Sequence, residues 1–162
     1  MKHKTNAMRI LDQKKVNYEI HSYVESDAIS GIEVADFFGY DYNKVYKTLV
    51  TTSKSKQIYV FAIPVDQELD LKKAAKVVGE KNVEMIKAKE LLPLTGYIHG
   101  GCSPIGMKKQ FETIIHESAQ EQETICLSAG QIGYQIETSL SELEKVLNYE
   151  LADIIKDNNI LD

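Results

Sequence analysis

The chain has 162 residues, 43% of them hydrophobic and 27% charged, with a formal net charge of −5. That size and balance fit one soluble globular domain, and they exclude a disordered chain and a protein held to DNA by charge alone. Apolar runs are a handful of residues long against the roughly 20 needed to span a bilayer, and the polar start MKHKTNAMRILDQKK lacks an apolar signal core. No membrane partner and a cytoplasmic location are therefore expected.

Helical and strand patterns alternate along the chain, which predicts one mixed α/β (α+β) domain over residues 1–162. Ala7, Ile10 and Leu11 share one helix face over 5–14, with Thr5 as its N-cap. Residues 16–24, VNYEIHSYV, read as a strand. Ser30 and Glu33 have capping-box spacing before a short helix that Gly39 ends. VYKTLVTT (45–52) and QIYVFAI (57–63) form a strand pair around the polar link 53–56, and Pro64 stops the second. Asp70 opens a helix closed by Gly79, and Val83 to Ile86 suggest a short strand. Ala88 to Leu92 suggest a helix ended by Pro93. Strands are expected at 113–116, 124–128 and 134–137. A helix capped by Ser139 with Leu140, Leu143 and Leu147 on its apolar face follows, and a short fraying helix ends the chain. Many short strands with helices between them favour a closed or nearly closed sheet with helices outside.

Chemistry-bearing residues are few. Lys47 shares a strand face with Val45 and Leu49. Read as structure, it is an edge-strand lysine whose head reaches water; read as function, it is a cation aimed into a pocket. Gly100-Gly101-Cys102-Ser103-Pro104-Ile105-Gly106 is a rigid loop whose backbone N–H groups could cradle an oxyanion, or simply a tight connection. Cys102 lies three residues from His99, but a buried small apolar thiol is the commoner role. Ser128 ends a strand before Ala129-Gly130 without a G-x-S-x-G elbow around it. Cys102 and Cys126 show no CxxC spacing, and histidines 3, 21, 99 and 116 show no ligand spacing, with His3 expected in a disordered end. No metal and no cofactor are expected. Lysines 72, 73, 76, 81, 87 and 89 make a basic stretch, a solvated face or a docking surface for an RNA end.

The segments VYKTLV (45–50), LDLKKAAKVVG (69–79), TGYIHGGCSPIGMKK (95–109), AQEQETICLSAGQIG (119–133) and ELADII (150–155) together resemble the YbaK/EbsC family of aminoacyl-tRNA deacylases, related to the editing domain inserted in bacterial prolyl-tRNA synthetases. The resemblance extends over nearly the whole chain. It implies a single-domain, largely antiparallel, barrel-like β-sheet surrounded by helices. It places a site between the VYKT strand and the Gly-Pro loop. The family's essential lysine falls on Lys47, with Thr48 beside it. Its pocket tyrosine falls on Tyr23 and its pocket serine on Ser128. Its GxxxP loop falls on Gly100, Gly101, Cys102, Ser103 and Pro104, with Gly101 lining the pocket. Two positions depart from the family: Gln135 stands where close relatives have an acidic residue, and Ser30 where an aromatic one precedes the second helix.

The implied activity is hydrolysis of cysteine misattached to a proline tRNA, and of cysteine on its own tRNA. The substrate's own thiol would attack the ester, while Lys47 fixes the terminal adenosine and acyl ester, the backbone around Gly101 holds the ester or oxyanion, and Tyr23, Thr48 and Ser128 shape the pocket. The implied partners are the aminoacyl-tRNA acceptor end and, transiently, prolyl-tRNA synthetase. Three alternatives stand beside this reading: an alanyl-ester deacylase using water, a non-enzymatic module binding tRNA or the synthetase, and a hydrolase with Cys102 as nucleophile.

Overall fold

A computed structural model describes residues 4–157; His3 lies outside them. The first helix, α1 (Asn6–Gln13), opens where the Thr5 hydroxyl accepts from the Met8 N–H, and it buries Ala7, Met8 and Leu11. Strand β1 is Glu19–Ser22, shorter than the pattern predicted. Its flanks serve other bonds: the Val16 N–H closes α1 onto the Leu11 carbonyl, and the Tyr23 N–H donates to the Gly133 carbonyl. Helix α2 (Gly31–Phe38) carries the expected capping box of Ser30 and Glu33 and ends at Gly39, whose φ of 72° is left-handed. Strands β2 (Tyr46–Ser53) and β3 (Ile58–Pro64) form an antiparallel hairpin. They are followed by α3 (Leu71–Val78), capped by Asp70, and by the short β4 (Val83–Met85).

Helix α4 (Ala88–Thr95) runs through Pro93 instead of stopping there. Proline cannot donate to the carbonyl four residues back. That carbonyl belongs to the exposed Lys89, and the next turn is held by the Thr95 hydroxyl on the Leu91 carbonyl. After the Gly-rich loop come β5 (Glu112–His116), β6 (Ile125–Ser128) and β7 (Tyr134–Thr138). Helix α5 is one turn, Leu140–Leu143, where a longer helix was predicted. The chain must turn at 144–146 to bury Leu147 and deliver the next strand to β5. Where the described residues reach into the expected C-terminal helix they form β8 (Glu150–Ala152), followed by a bridge between Leu69 and Ile155. Ile154, fully buried beside α3, holds this segment extended. Residues 158–162 lie outside those described.

Two sheets result. One has the order β1-β7-β6, all antiparallel; the other has β4-β2-β3-β5-β8, antiparallel except where β5 runs parallel to β3 and β8 parallel to β5. The largely antiparallel character and the helices outside agree with expectation. The sheets do not close into a barrel: among the described residues they join through one parallel bridge, Val45 to Cys126. Central β3, flanked on both sides, is an unbroken apolar run. Its Val60 and Ala62 face one core with α1, β6 and β7, and its Tyr59, Phe61 and Ile63 face a second core under α3.

Candidate functional site

The gap between the two sheets makes the site. The hairpin register leaves Val45, Lys47, Leu49, Thr51 and Ser53 bonding to β3, as the bonds from Val65 N–H to Val45 and from Ser53 N–H to Gln57 show. The main-chain groups of Tyr46, Thr48 and Val50 therefore point to the other edge. There β4 pairs only with residues 51–53, and the Ile86 N–H takes the Val50 carbonyl. Beyond the bridge from Val45 to Cys126, the stretch 47–49 thus presents a strand edge without a ladder partner among the described residues to a cavity of about 510 Å³. Pro64 fits this register, because opposite Tyr46 its missing N–H faces away from β2.

The cavity is walled by β2, by Ser30, Gly31, Ile32 and Val34 at the start of α2, by Met85, Ile86, Ala88 and Leu91 around β4 and α4, by His99, Gly100 and Cys102, and by Ser128 and Gln135. The last two are cross-strand partners on β6 and β7, so their side chains share one sheet face. Lys47 lies half-buried in this wall with no carboxylate within salt-bridge distance among the described residues. Burial pushes its ammonium below the usual lysine range, partly opposed by the charges of Glu68 and Asp66. A lysine that only sought water would not be desolvated this way.

Three buried polar atoms have no hydrogen-bond partner among the described residues: the Tyr23 hydroxyl, Thr48 Oγ1 and Gln135 Oε1. Unpaired buried groups of this kind cost free energy unless a ligand completes them. All three belong to residues singled out from the sequence. Tyr23 does not line the cavity; its ring stands edge-on to Phe38 at 6.1 Å. Ser128 Oγ accepts from the Gly130 N–H at 3.1 Å, which leaves its own proton to donate. The Ser30 hydroxyl is committed to its cap, so that residue contributes shape.

The Gly-Pro loop divides into wall and support. Gly100, with φ of 86°, and Cys102 line the cavity. Gly101 is not among the lining residues. A Cβ there would stand 2.9 Å from the Ile132 nitrogen, so the glycine permits close backbone packing, and its N–H already donates to the Ile98 carbonyl at 3.0 Å. Buried Ser103 accepts from the Ile105 N–H, and Pro104 is buried without lining the cavity. Burial pushes the Cys102 thiol up to about 12, so it stays protonated and is a poor nucleophile. His99 lines the wall too, a residue the sequence offered only as a partner for Cys102. The apolar wall from α2, β4 and α4 was not singled out, since nothing in a local pattern brings residues 29–34 and 85–91 together. Of the basic stretch, Lys73 is spent on Asp153 and Asp157, whereas Lys87 and Lys89 are exposed beside the wall.

One register further along the β1-β7-β6 face lies a polar clasp. Glu137 accepts from His21 at 2.7 Å, Lys44 at 2.8 Å and Thr124 at 2.5 Å. Burial pushes its carboxyl up, but those bonds outweigh burial and hold it down at about 2. The ligand atoms of Glu19, His21 and Glu137 lie within 4.8 Å of one another. The oxygens of Glu137 are already occupied by the clasp, so this group reads as structure.

Residues 26–146 match the aminoacyl-tRNA editing domain. The chain is 47% identical over 152 residues to a proposed Cys-tRNA(Pro)/Cys-tRNA(Cys) deacylase, EbsC, of Enterococcus faecalis, an alignment covering 93% of each chain. Two solved structures share the fold. The hypothetical protein APE2540 superposes with a TM-score of 0.85 at 19% identity, over 94% of this chain and 100% of that one. A proposed trans-editing enzyme for prolyl-tRNA synthetase superposes with a TM-score of 0.81 at 19% identity, over 94% and 96%.

Proposed function

The chain belongs to the aminoacyl-tRNA editing domain family, and from that premise we propose that it is a deacylase that removes cysteine esterified to a proline tRNA, and cysteine from its own tRNA. We read residues 1–162 as one such domain. The observation that carries the reading is the cavity at the open edge of β2, lined by the desolvated Lys47 and by Thr48 and Gln135, whose Oγ1 and Oε1 are unsatisfied among the described residues.

The proposed chemistry needs no enzyme nucleophile, in keeping with the protonated Cys102. The sulfur of the substrate cysteine attacks its own ester carbonyl and forms a C–S bond. The carbonyl oxygen carries the negative charge of the tetrahedral intermediate. Collapse breaks the bond to the ribose oxygen, which takes the proton given up by the thiol; a cyclic thiolactone and free tRNA leave. Lys47, close to the reacting ester, stabilises the developing negative charge, and its desolvated setting strengthens that effect. With the Gly101 N–H already bonded, Gly100 and Cys102 are the residues of the Gly-Pro loop that line the cavity beside the substrate. Thr48 and Ser128 fix the acyl group, and Tyr23 shapes the pocket from behind. A hydrolytic second sieve is physically needed because a synthetase pocket separates near-isosteric amino acids by only about 1–3 kcal/mol.

The partner proposed for the cavity is the acceptor end of the aminoacyl-tRNA, with Lys87 and Lys89 near its phosphates. Prolyl-tRNA synthetase is proposed as a transient partner that supplies tRNA selectivity, and the cytoplasm as the place of action. Among the described residues no helix is long and apolar enough to cross a membrane. The test is loss of ester from proline tRNA charged with cysteine, alanine or proline. Rapid loss of cysteine alone is expected. Loss of alanine instead would replace the substrate thiol by water, and loss of none, even with the synthetase added, would leave a binding module.

A further inference from the structure

The polar groups of the cavity are of an unusual kind. Among the described residues no aspartate or glutamate lines it. An aminoacyl ester carries an α-amino group, and an ammonium, which only donates hydrogen bonds, is normally met by a carboxylate. The cavity side chains left without partners among the described residues are instead an amide and a hydroxyl, Gln135 and Thr48, with the Tyr23 hydroxyl unpaired outside the lining. Each can both donate and accept. Gln135 is 7% exposed, lines the cavity, and has Oε1 buried and unbonded.

Nearby charge points the same way. Lys47 faces the cavity from β2 as a cation. The carboxylates that act on it, Asp66 and Glu68, lie after β3 outside the lining. Glu137 follows Gln135 by two residues on β7, but Lys44, Thr124 and His21 occupy its oxygens. Glu33 is turned back to the Ser30 and Ile29 N–H groups. The remaining titratable lining groups are Tyr46, whose hydroxyl pairs with the Ser118 hydroxyl at 2.6 Å, His99 and the protonated Cys102. Among the described residues an ammonium would therefore enter beside the positive charge of Lys47 with no lining carboxylate to offset it, whereas an uncharged amine can donate to Gln135 Oε1 without that repulsion.

Resting on the deacylase reading, we propose that Gln135 receives the substrate's α-amino group and that the cavity takes the aminoacyl ester as the free amine. Gln135 is then a specificity-determining contact, and its neutrality sets which protonation state of the substrate is used.

The experiment uses proline tRNA carrying either cysteine or 3-mercaptopropionate, which keeps the thiol and lacks the amine. Wild-type protein is expected to favour the cysteinyl ester in kcat/KM by roughly 10- to 100-fold, the discrimination of one buried hydrogen-bonding site. Gln135→Met should lose that factor on the cysteinyl ester and lower mercaptopropionyl turnover far less, with the circular dichroism spectrum and thermal midpoint reporting that the variant is folded. Gln135→Glu should extend activity on the cysteinyl ester to lower pH, because a carboxylate can hold the ammonium. Equal losses on both esters with Gln135→Met, or an unmoved pH profile with Gln135→Glu, would overturn the inference while leaving the deacylase reading intact. Wild-type protein that cleaves neither ester would overturn both.

Discussion

At the scale of single residues, burial separates the two reactive candidates. Lys47 is a cation held partly out of water, and Cys102 is a thiol that burial keeps neutral. Lys47→Ala should lower deacylation of the cysteinyl ester by about a hundredfold or more, the scale of removing one preorganised charge-stabilising group, while the circular dichroism spectrum and thermal midpoint stay close to wild type. Lys47→Arg should restore little, because a planar guanidinium does not reproduce a compact ammonium in a fitted wall. Cys102→Ala should leave turnover within a few-fold of wild type. If it abolished turnover in a folded protein, the substrate-thiol route would give way to an enzyme nucleophile.

At the scale of elements, the face shared by β1, β6 and β7 is both floor and fastening. Ser128 and Gln135 serve the cavity, and the next register, Glu137 with His21, Lys44 and Thr124, ties β1 and the chain before β2 to the same sheet. The carboxyl of Glu137 is depressed from 4.5 to about 2 in the folded state. A depressed folded value means that the unfolded chain takes up the proton first as pH falls. The clasp therefore contributes stability fully above about 4.5 and loses it as pH drops toward 2. Glu137→Gln should lower the urea midpoint at pH 7 and flatten its decline between those limits. An acid limb unchanged in the variant would assign the pH dependence to other carboxylates.

At the scale of the whole molecule, the net charge of −5 opposes long-range attraction to a polyanion, while Lys87 and Lys89 stand beside the cavity. Binding of uncharged proline tRNA alone should be weak at physiological salt and should strengthen when the synthetase is present, read by fluorescence anisotropy. Replacing both lysines with serine should weaken binding and reduce the slope of log K against log salt by about 1.4 if each contacts a single-stranded phosphate. Tight binding of free tRNA by the wild-type protein, with no contribution from the synthetase, would remove the proposed need for a third partner.

Local rules determined much of this protein directly. Thr5, Ser30, Asp70 and Ser139 cap helices as their spacing predicted, because a cap is a bond between residues two or three apart. The β2–β3 hairpin is legible for the same reason. The candidate site was legible in its members, Lys47, Thr48, Ser128 and Gln135, chiefly through the resemblance of whole segments. Tertiary structure decided what local pattern could not. It made residues 150–152 a strand, since Ile154 is buried only when the chain lies along β5. It kept two sheets apart where a nearly closed one was expected, which frees the edge of β2. It turned Gly101 from wall to spacer, because the segment at 131–132, some thirty residues away, presses against it. Short-range bonds are written in neighbouring residues, whereas an open edge, an unbonded amide and a wall drawn from both ends of the chain exist only once distant segments have packed.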